Sequence, residues 1–315
     1  MQVTMLESEA QLAAIPVEID RDRPDAHVMV TDGGRLMARC SCWWAPGAPD
    51  PIGVIGHYAA LDPYAGLETI RRACDRLAAA GCTKVLGPMD GNTWRRYRFI
   101  VDRGPEPAFF LEPENADDWP DHFVGAGFRP VETYVSAVTE DLARPAEGAS
   151  DDEARLLECG ISLRPLSKER LDRDLHGLYT VSLDAFAENV AYSSIGEEQF
   201  LGLYRSVLPF VRPELVTIAE FDRQPIGFLF AIPDALEAKR TGSNRTVVLK
   251  TMAVLPRWRG MGLGRHLFAR THAIARQLGY TRAIHALMHE TNQSRAMSAR
   301  SARPFRRYAL FGREL

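Results

Sequence analysis

Residues 247–278 read VVLKTMAVLPRWRGMGLGRHLFARTHAIARQL, the most informative pattern in the chain. Its opening residues are largely apolar and include β-branched side chains, which predicts a buried strand that ends before Pro256. Glycines follow, and then apolar residues recur at helical spacing up to Gly279. The pattern therefore predicts a strand, a glycine-rich turn and a helix in direct succession.

The glycines lie where the predicted helix begins. A helix N-terminus leaves its first backbone amides without partners and carries partial positive charge, so it can bind an anion such as a phosphate. The turn differs from a P-loop, because Arg265 rather than Lys follows Gly264. It also differs from a dinucleotide fingerprint, because its last glycine interval is too short. The alternative is a tight strand-to-helix turn with solvated arginines.

The run Arg257-Trp258-Arg259-Gly260-Met261-Gly262 resembles motif A of the GNAT acetyltransferases, and the resemblance extends over residues 161–315. It implies that the loop amides hold the pyrophosphate of coenzyme A and that the preceding strand pairs with the pantetheine arm. An Asn after the next strand contacts that arm in the family, although the residue here could instead cap a helix. The implied coenzyme-binding residues are Met252, Ala253, Val254, Arg257, Arg259, Gly260, Met261, Gly262, Leu263, Gly264, Asn292 and Arg295.

The catalytic residues depart from the family pattern. Many GNAT enzymes use a Glu on the central strand as base, whereas this strand has Lys250 and Thr251. They use a Tyr on the helix after the Asn as acid, and that position is Ala299. Acyl transfer to an amine still requires a proton acceptor and a proton donor. Substitutes in this part of the sequence are Glu290, His289 and Tyr308, whereas His285 is more typical of an interior histidine.

Composition limits the classes of function. The 315 residues suffice for two domains, and 46% hydrophobic and 25% charged residues are typical of globular proteins. A net charge of −3 argues against general nucleic-acid binding. No apolar run reaches the ~18 residues of a membrane span and no leader is evident, so we expect a cytoplasmic protein without membrane contact. The five cysteines lack zinc-ligand spacing, so we expect no metal.

The first half of the chain echoes the second. Gly81-Cys82-Thr83-Lys84 resembles Gly279-Tyr280-Thr281-Arg282, which suggests a tandem duplication. Where the second half has its glycine loop, the first has Asp62-Pro63-Tyr64-Ala65-Gly66. We therefore expect a degenerate GNAT-like domain at residues 1–145, a linker at 146–158 and a GNAT acetyltransferase domain at 159–315. Each would be an α/β domain, with a mixed, mostly antiparallel sheet around a central parallel strand pair, flanked by helices.

Two further segments are predicted to be loops, and the first has two possible roles. Residues 90–121 combine aromatic, polar and arginine side chains at 90–98 with a proline-rich, aromatic stretch, which suits either ligand binding or docking of the segment onto its own domain. Residues 234–244 are polar and predict a loop.

Together these features predict an acetyl-CoA-dependent N-acetyltransferase, a monomer or homodimer. The acetyl group would pass directly, in a ternary complex, to a primary amine of a small molecule or polypeptide. The alternatives are an inactive acyl-CoA-binding sensor or scaffold, and a protein in which both halves bind coenzyme A.

Overall fold

The computed structural model describes residues 1–13, 23–45, 51–142 and 149–315, which form two compact units. The N-terminal unit comprises Met1–Arg103, Pro113–Tyr134 and Arg307–Leu315. The C-terminal unit comprises Gly104–Glu112 and Val135–Arg306. Each unit is thus assembled from separate segments of the chain. The sequence-based division at residues 145 and 159 stays a prediction about domains.

The described residues of the N-terminal unit form a mixed sheet with three helices. Its strands are β1 (Gln2–Leu6), β2 (Ala26–Asp32), β3 (Arg35–Trp43), β4 (Ile52–Ala60), β5 (Lys84–Gly87), β6 (Phe99–Asp102), the first residues of β7 (Arg129–Thr139) and the last residues of β13 (Arg303–Glu314). Its helices are α1 (Glu9–Ala13), α2 (Pro63–Ala79) and α3 (Trp119–Gly125). Strands β1 to β5 lie side by side in chain order, and β4 pairs with β5 in parallel while the other neighbours are antiparallel.

Helix α2 covers one face of this sheet. Asp62 caps its first turn, Pro63 begins it, and Gly81, with a φ of 88°, follows its end. Its buried residues recur at helical spacing, as in Ile70, Ala73 and Leu77, and pack against the side chains of Val28 and Cys40. The other face of the same strands therefore points away from α2.

The C-terminal unit repeats this plan. Its strands are the last residues of β7 (Arg129–Thr139), then β8 (Ile161–Pro165), β9 (Val216–Phe221), β10 (Gln224–Pro233), β11 (Thr246–Val254), β12 (Arg282–His289) and the first residues of β13 (Arg303–Glu314). Its helices are α4 (Ala149–Glu158), α5 (Leu171–Phe186), α6 (Glu197–Arg205), α7 (Ala235–Thr241), α8 (Leu263–Gln277) and α9 (Gln293–Ser298). β11 and β12 are parallel, whereas β8, β9, β10 and β11 are antiparallel neighbours.

Each unit thus has a mixed, mostly antiparallel sheet around one parallel strand pair. The predicted α/β fold class is confirmed. In the C-terminal unit, β11 is buried through Val247 and Val248, and α8 buries Leu263, Leu267 and Ala275. Burying one such leucine contributes about 2 kcal/mol, so α8 is fixed to the unit by its own apolar stripe.

Two segments predicted to lack regular structure contain helices. Residues 234–244 hold α7, because the Asp234 carboxylate accepts a hydrogen bond from the Leu236 amide and Gly242 ends the helix at a φ of 73°. Most of the predicted linker is α4, whereas residues 146–148 lie outside the described part of the chain. The loop prediction for 234–244 is therefore wrong, since the capping signal outweighs the polar composition.

The segment Gly104–Glu112 belongs to the C-terminal unit through a buried ion pair. The Arg306 guanidinium contacts the Glu112 carboxylate and the Glu106 carbonyl, and the side chains of Arg306 and Glu112 are 1% and 2% exposed. Nearby, the Glu106 carboxylate accepts from Arg282 and Arg303. Two charges removed from water in this way depend on each other.

We predict that Arg306→Met lowers the free energy of unfolding by about 3–5 kcal/mol, because it leaves the Glu112 carboxylate buried without its cation. The matched control is Arg303→Met, whose side chain is 53% exposed; this change should cost less than about 1 kcal/mol. Urea unfolding of both variants makes the comparison. Equal losses would contradict the account.

Candidate functional site

The glycine loop joins β11 to α8. Residues Pro256–Trp258 form one turn of 3-10 helix, after which Gly260 and Gly262 adopt φ values of 82° and 86°. These left-handed conformations favour glycine because a side chain would be strained there. Gly262 is the N-cap residue of α8, so the second of the two turns aims the backbone directly into the helix.

The amides of this loop have no acceptors within the described parts of the chain. The first hydrogen bond of α8 runs from the His266 amide to the Gly262 carbonyl at 3.0 Å. No described acceptor is bonded to the amides of residues 260–264. Unsatisfied amides and the helix dipole act in the same direction, so this turn has the donor geometry and the partial charge that suit an oxyanion.

Two arginines, one in the loop and one on α4, hold the loop backbone in place. The Arg259 guanidinium donates to the Ala185 carbonyl at 2.8 Å and to the Val254 carbonyl at 3.3 Å. The Arg155 guanidinium, on α4, donates to the Met261 carbonyl at 3.0 Å. Arg259, predicted to contact the pyrophosphate, thus already anchors the loop, whereas Arg257 is exposed and makes no ion pair with any described residue.

The two parallel strands separate beside the loop. Their paired residues run from Thr246 and Arg282 to Leu249 and His285. At the next residue, Lys250, β11 bulges, because its register with β10 shifts there. The Leu255 amide donates to the Ile226 carbonyl on the β10 side, so by strand alternation the amides of Met252 and Val254 face away from β10. Predicted residues Met252 to Val254 therefore lie where β11 has left its parallel partner.

Asn292 and Arg295 follow β12. Asn292 is the N-cap residue of α9, but its exposed side chain accepts no capping hydrogen bond. The alternative that Asn292 serves as a side-chain cap is therefore not supported. Arg295 lies half-buried in the first turn of the same short helix.

The three predicted catalytic residues have different surroundings. The His289 Nδ1 atom accepts from the Thr291 amide at 3.2 Å, so a neutral His289 carries its proton on Nε2. Glu290 is exposed at the end of β12. Tyr308 belongs to the N-terminal unit, where it is fully buried and pairs with Ile100. The structure thus groups His289 and Glu290 with the loop in one unit and leaves Tyr308 out of it.

Lys250, Thr251 and Ala299 occupy the positions where the resemblance to GNAT enzymes would place a catalytic Glu and Tyr. The Lys250 ammonium, at the bulge, donates to the Leu111 carbonyl at 2.8 Å. The Thr251 side chain lies beside the Tyr204 phenol, a neighbour that sequence reasoning missed because α6 lies far away in the chain. Burial raises the pKa of Tyr204, which keeps its proton on the phenol. Ala299 follows α9 and carries no proton donor.

A buried histidine pair connects the elements around the loop. The His272 Nε2 atom, on α8, lies 3.0 Å from the His285 Nε2 atom on β12, and the His285 Nδ1 atom lies 2.7 Å from the Ser298 hydroxyl on α9. Burial lowers the pKa of His272 to about 4 and that of His285 well below its usual value. Both rings are therefore neutral at pH 7, and they can share one proton between their Nε2 atoms.

The corresponding helix of the N-terminal unit has a different start. The Asp62 carboxylate accepts a hydrogen bond from the Ala65 amide at 2.8 Å, and the Gly66 amide donates to the Asp62 carbonyl at 2.9 Å. Pro63 has no amide proton to offer. A carboxylate of the protein thus occupies the first turn of α2, where an external anion would otherwise bind.

Among the described residues, no helix is long and apolar enough to cross a membrane. Within the same residues, no group of three or more His, Cys, Asp and Glu side chains is placed to hold a metal ion.

A model of the acetyltransferase (GNAT) family matches residues 182–300. No curated protein matches the chain. Among solved structures, the chain is similar to a GCN5-related glucosamine N-acetyltransferase region of a fungal multi-domain β-N-acetylglucosaminidase, with 14% identity and a TM-score of 0.58. This similarity covers 99% of the chain but only 38% of the fungal protein.

Two bacterial structures of GCN5-related N-acetyltransferases are also similar. The protein from Sphaerobacter thermophilus has 14% identity and a TM-score of 0.53, with 91% of this chain and 80% of that chain covered. The protein from Anabaena variabilis has 9% identity and a TM-score of 0.55, with 99% and 73% covered. At these identities the structural similarities concern the fold.

We predict that stability falls as the pH drops from 6.5 towards 4, because the unfolded chain binds protons that the buried His272 ring excludes. The loss attributable to this ring is on the order of 3 kcal/mol at most. In His272→Gln the difference in unfolding free energy between pH 7.5 and pH 5 should shrink. An unchanged difference in urea titrations would show that the ring is not held neutral.

Proposed function

Starting from a GNAT-family domain at residues 182–300, we propose that the protein is an acetyl-CoA-dependent N-acetyltransferase. Its acceptor would be a primary amine of a small molecule or polypeptide, and the acetyl group would pass directly in a ternary complex. The observation that carries the proposal is the row of unsatisfied amides at residues 260–264. These donors suit the diphosphate of coenzyme A, which supplies the activated acetyl group as cosubstrate.

In this proposal the glycine loop binds the diphosphate of coenzyme A, and the separated end of β11 orients the pantetheine arm. The amides of residues 260–264 would donate to the diphosphate, with the exposed Arg257 adding positive charge. The outward amides of Met252 and Val254 would pair with the pantetheine arm, and the Asn292 side chain, which caps nothing, would contact the same arm. Arg259 would act indirectly, by fixing the loop through the Ala185 carbonyl.

Proton transfer would involve the end of β12. Glu290 is the carboxylate of the predicted set in the same unit as the loop, and we propose it as the proton acceptor for the amine. Because the His289 Nδ1 atom accepts from the Thr291 amide, its Nε2–H group would hydrogen bond to the departing thiolate. The proton that Glu290 takes from the amine would then pass to that thiolate, which leaves as the free thiol. Buried Tyr308 has no part in this proposal.

The residues at the expected catalytic positions favour a second candidate function. The bulge of β11 has an ammonium, Lys250, rather than a carboxylate, and Ala299 replaces a proton donor. A protein with these residues could bind acyl-CoA as a sensor or scaffold without transferring the acyl group.

We predict that the chain releases free thiol from acetyl-CoA only when a suitable amine is present, and that Glu290→Gln lowers kcat by about 100-fold or more. A panel of small amines and peptide N-termini, monitored for thiol, makes the test. Saturable acetyl-CoA binding without turnover on any amine, or in a cell extract, would favour the sensor or scaffold.

We predict that Gly262→Ala weakens acetyl-CoA binding at least about tenfold, because the new side chain is strained at a φ of 86° and disturbs the amide row. The matched control is Gly279→Ala at the other end of α8, where φ is 91° and an added Cβ meets nothing within 4 Å. Both variants should lose similar stability, but only the first should lose affinity in calorimetry. Equal affinities would contradict coenzyme binding at the loop.

A further inference from the structure

A polar face lies on the N-terminal unit's sheet, opposite α2. Residues of β2 and β3 that pack against α2 include Val28, Cys40 and Cys42. Because side chains alternate along a strand, His27, Arg39 and Ser41 point to the other face. His27 pairs with Ser41, and Arg39 pairs with Met29, so these side chains are neighbours across β2 and β3.

A hydrogen-bonded chain crosses this face. The Ser41 hydroxyl lies 2.8 Å from the His27 Nδ1 atom and 3.0 Å from the His57 Nδ1 atom. The His57 amide donates to one Asp90 carboxylate oxygen at 2.6 Å, and the Arg96 guanidinium lies 3.3 Å from the other. Side chains from β2, β3 and β4 are thus hydrogen bonded to one another, and the His57 backbone connects them to Asp90 in the loop after β5.

The backbone here is strained. The register of β3 and β4 shifts between Arg39 and Ser41, which places a bulge in β4. His57 has a φ of 47°, which is unusual for a residue with a side chain. The adjacent Gly56 cannot carry one, because its Cβ would lie 2.0 Å from the Met89 carbonyl oxygen. Strained positions held by surrounding contacts cluster at functional sites.

The charges on this face do not balance. Arg39 is half-buried and makes no hydrogen bond or ion pair with the described residues. Burial, followed by the nearby Arg96 guanidinium, lowers the pKa of Arg39, and Asp90 opposes this. Two guanidinium groups thus lie near the Asp90 carboxylate, and Arg96 is the one hydrogen bonded to it. The His27 Nε2 atom, on a fully buried ring, also lacks a partner among those residues.

We propose that Arg39 and Arg96 form a binding site for a small oxyanion, a carboxylate or phosphate group, on this face of the N-terminal unit. The anion supplies the second negative charge, and planar guanidinium groups suit its paired oxygens. Asp90 holds Arg96 in place, and the Ser41–His57 hydrogen bond fixes the bulge that brings β4 alongside. This assigns a binding role to the arginine-containing loop at residues 90–98.

This site differs from a second coenzyme site. A coenzyme diphosphate in the N-terminal unit would require the first turn of α2, which lies on the opposite face and is capped by the Asp62 carboxylate. The proposal therefore does not depend on the function proposed for the C-terminal unit.

The test is the thermal unfolding of the full-length protein with inorganic phosphate or acetate, against chloride at matched ionic strength, in the presence of coenzyme A. An anion that binds the folded state raises Tm with its concentration. We expect a saturable rise with at least one anion, and a loss of apparent affinity of about tenfold or more in Arg39→Gln. The matched control, Arg35→Gln, changes an exposed arginine on the same strand and should keep the wild-type response.

Arg96→Gln, at a half-exposed position, should weaken the same response and serves if Arg39→Gln fails to fold. Coenzyme A affinity should be unchanged in both variants. A wild-type protein that fails to bind coenzyme A would count against the proposed function and not against the anion site. No rise beyond chloride in the wild type, or equal responses in the Arg39, Arg96 and Arg35 variants, would overturn the proposal.

Discussion

The candidate site of the C-terminal unit depends on a set of backbone amides at the start of α8 that have no acceptors in the described part of the chain. Buried unpaired donors are costly, so such a row persists only where solvent or a ligand can reach it. The surroundings keep it unpaired: two glycines turn the chain at positive φ, Arg259 and Arg155 hold neighbouring carbonyls, and α8 is anchored by its apolar stripe. These contacts hold the backbone of the loop from both of its ends.

The two units show how one plan yields different chemistry. Both have a parallel strand pair, a bulge on the first strand of that pair, and a helix that starts beyond it. In the N-terminal unit an aspartate satisfies the helix start, and the opposite face of the sheet carries arginines instead. A few residues at the strand end therefore decide whether the helix start can accept an external anion.

The sequence predicted the parts that local patterns govern. Residues 247–278 predicted β11, the glycine turn and α8, and the alternating and helical apolar patterns predicted the mixed sheets. The composition of residues 234–244 hid α7, because a single capping aspartate decided the outcome. Long-range placement was not readable: the assignment of Gly104–Glu112 and Arg307–Leu315 to units, the burial of Tyr308, and the Tyr204–Thr251 contact all depend on how distant segments pack.

The most direct measurement is the amide NMR spectrum of the isotope-labelled protein during titration with coenzyme A. We expect that the amide resonances of residues 260–264 move the most, that those of residues 64–66 do not move, and that one equivalent of coenzyme A saturates the change. Resonances of residues 260–264 that stay unchanged while coenzyme A binds elsewhere, or that remain unchanged at all concentrations, would contradict it.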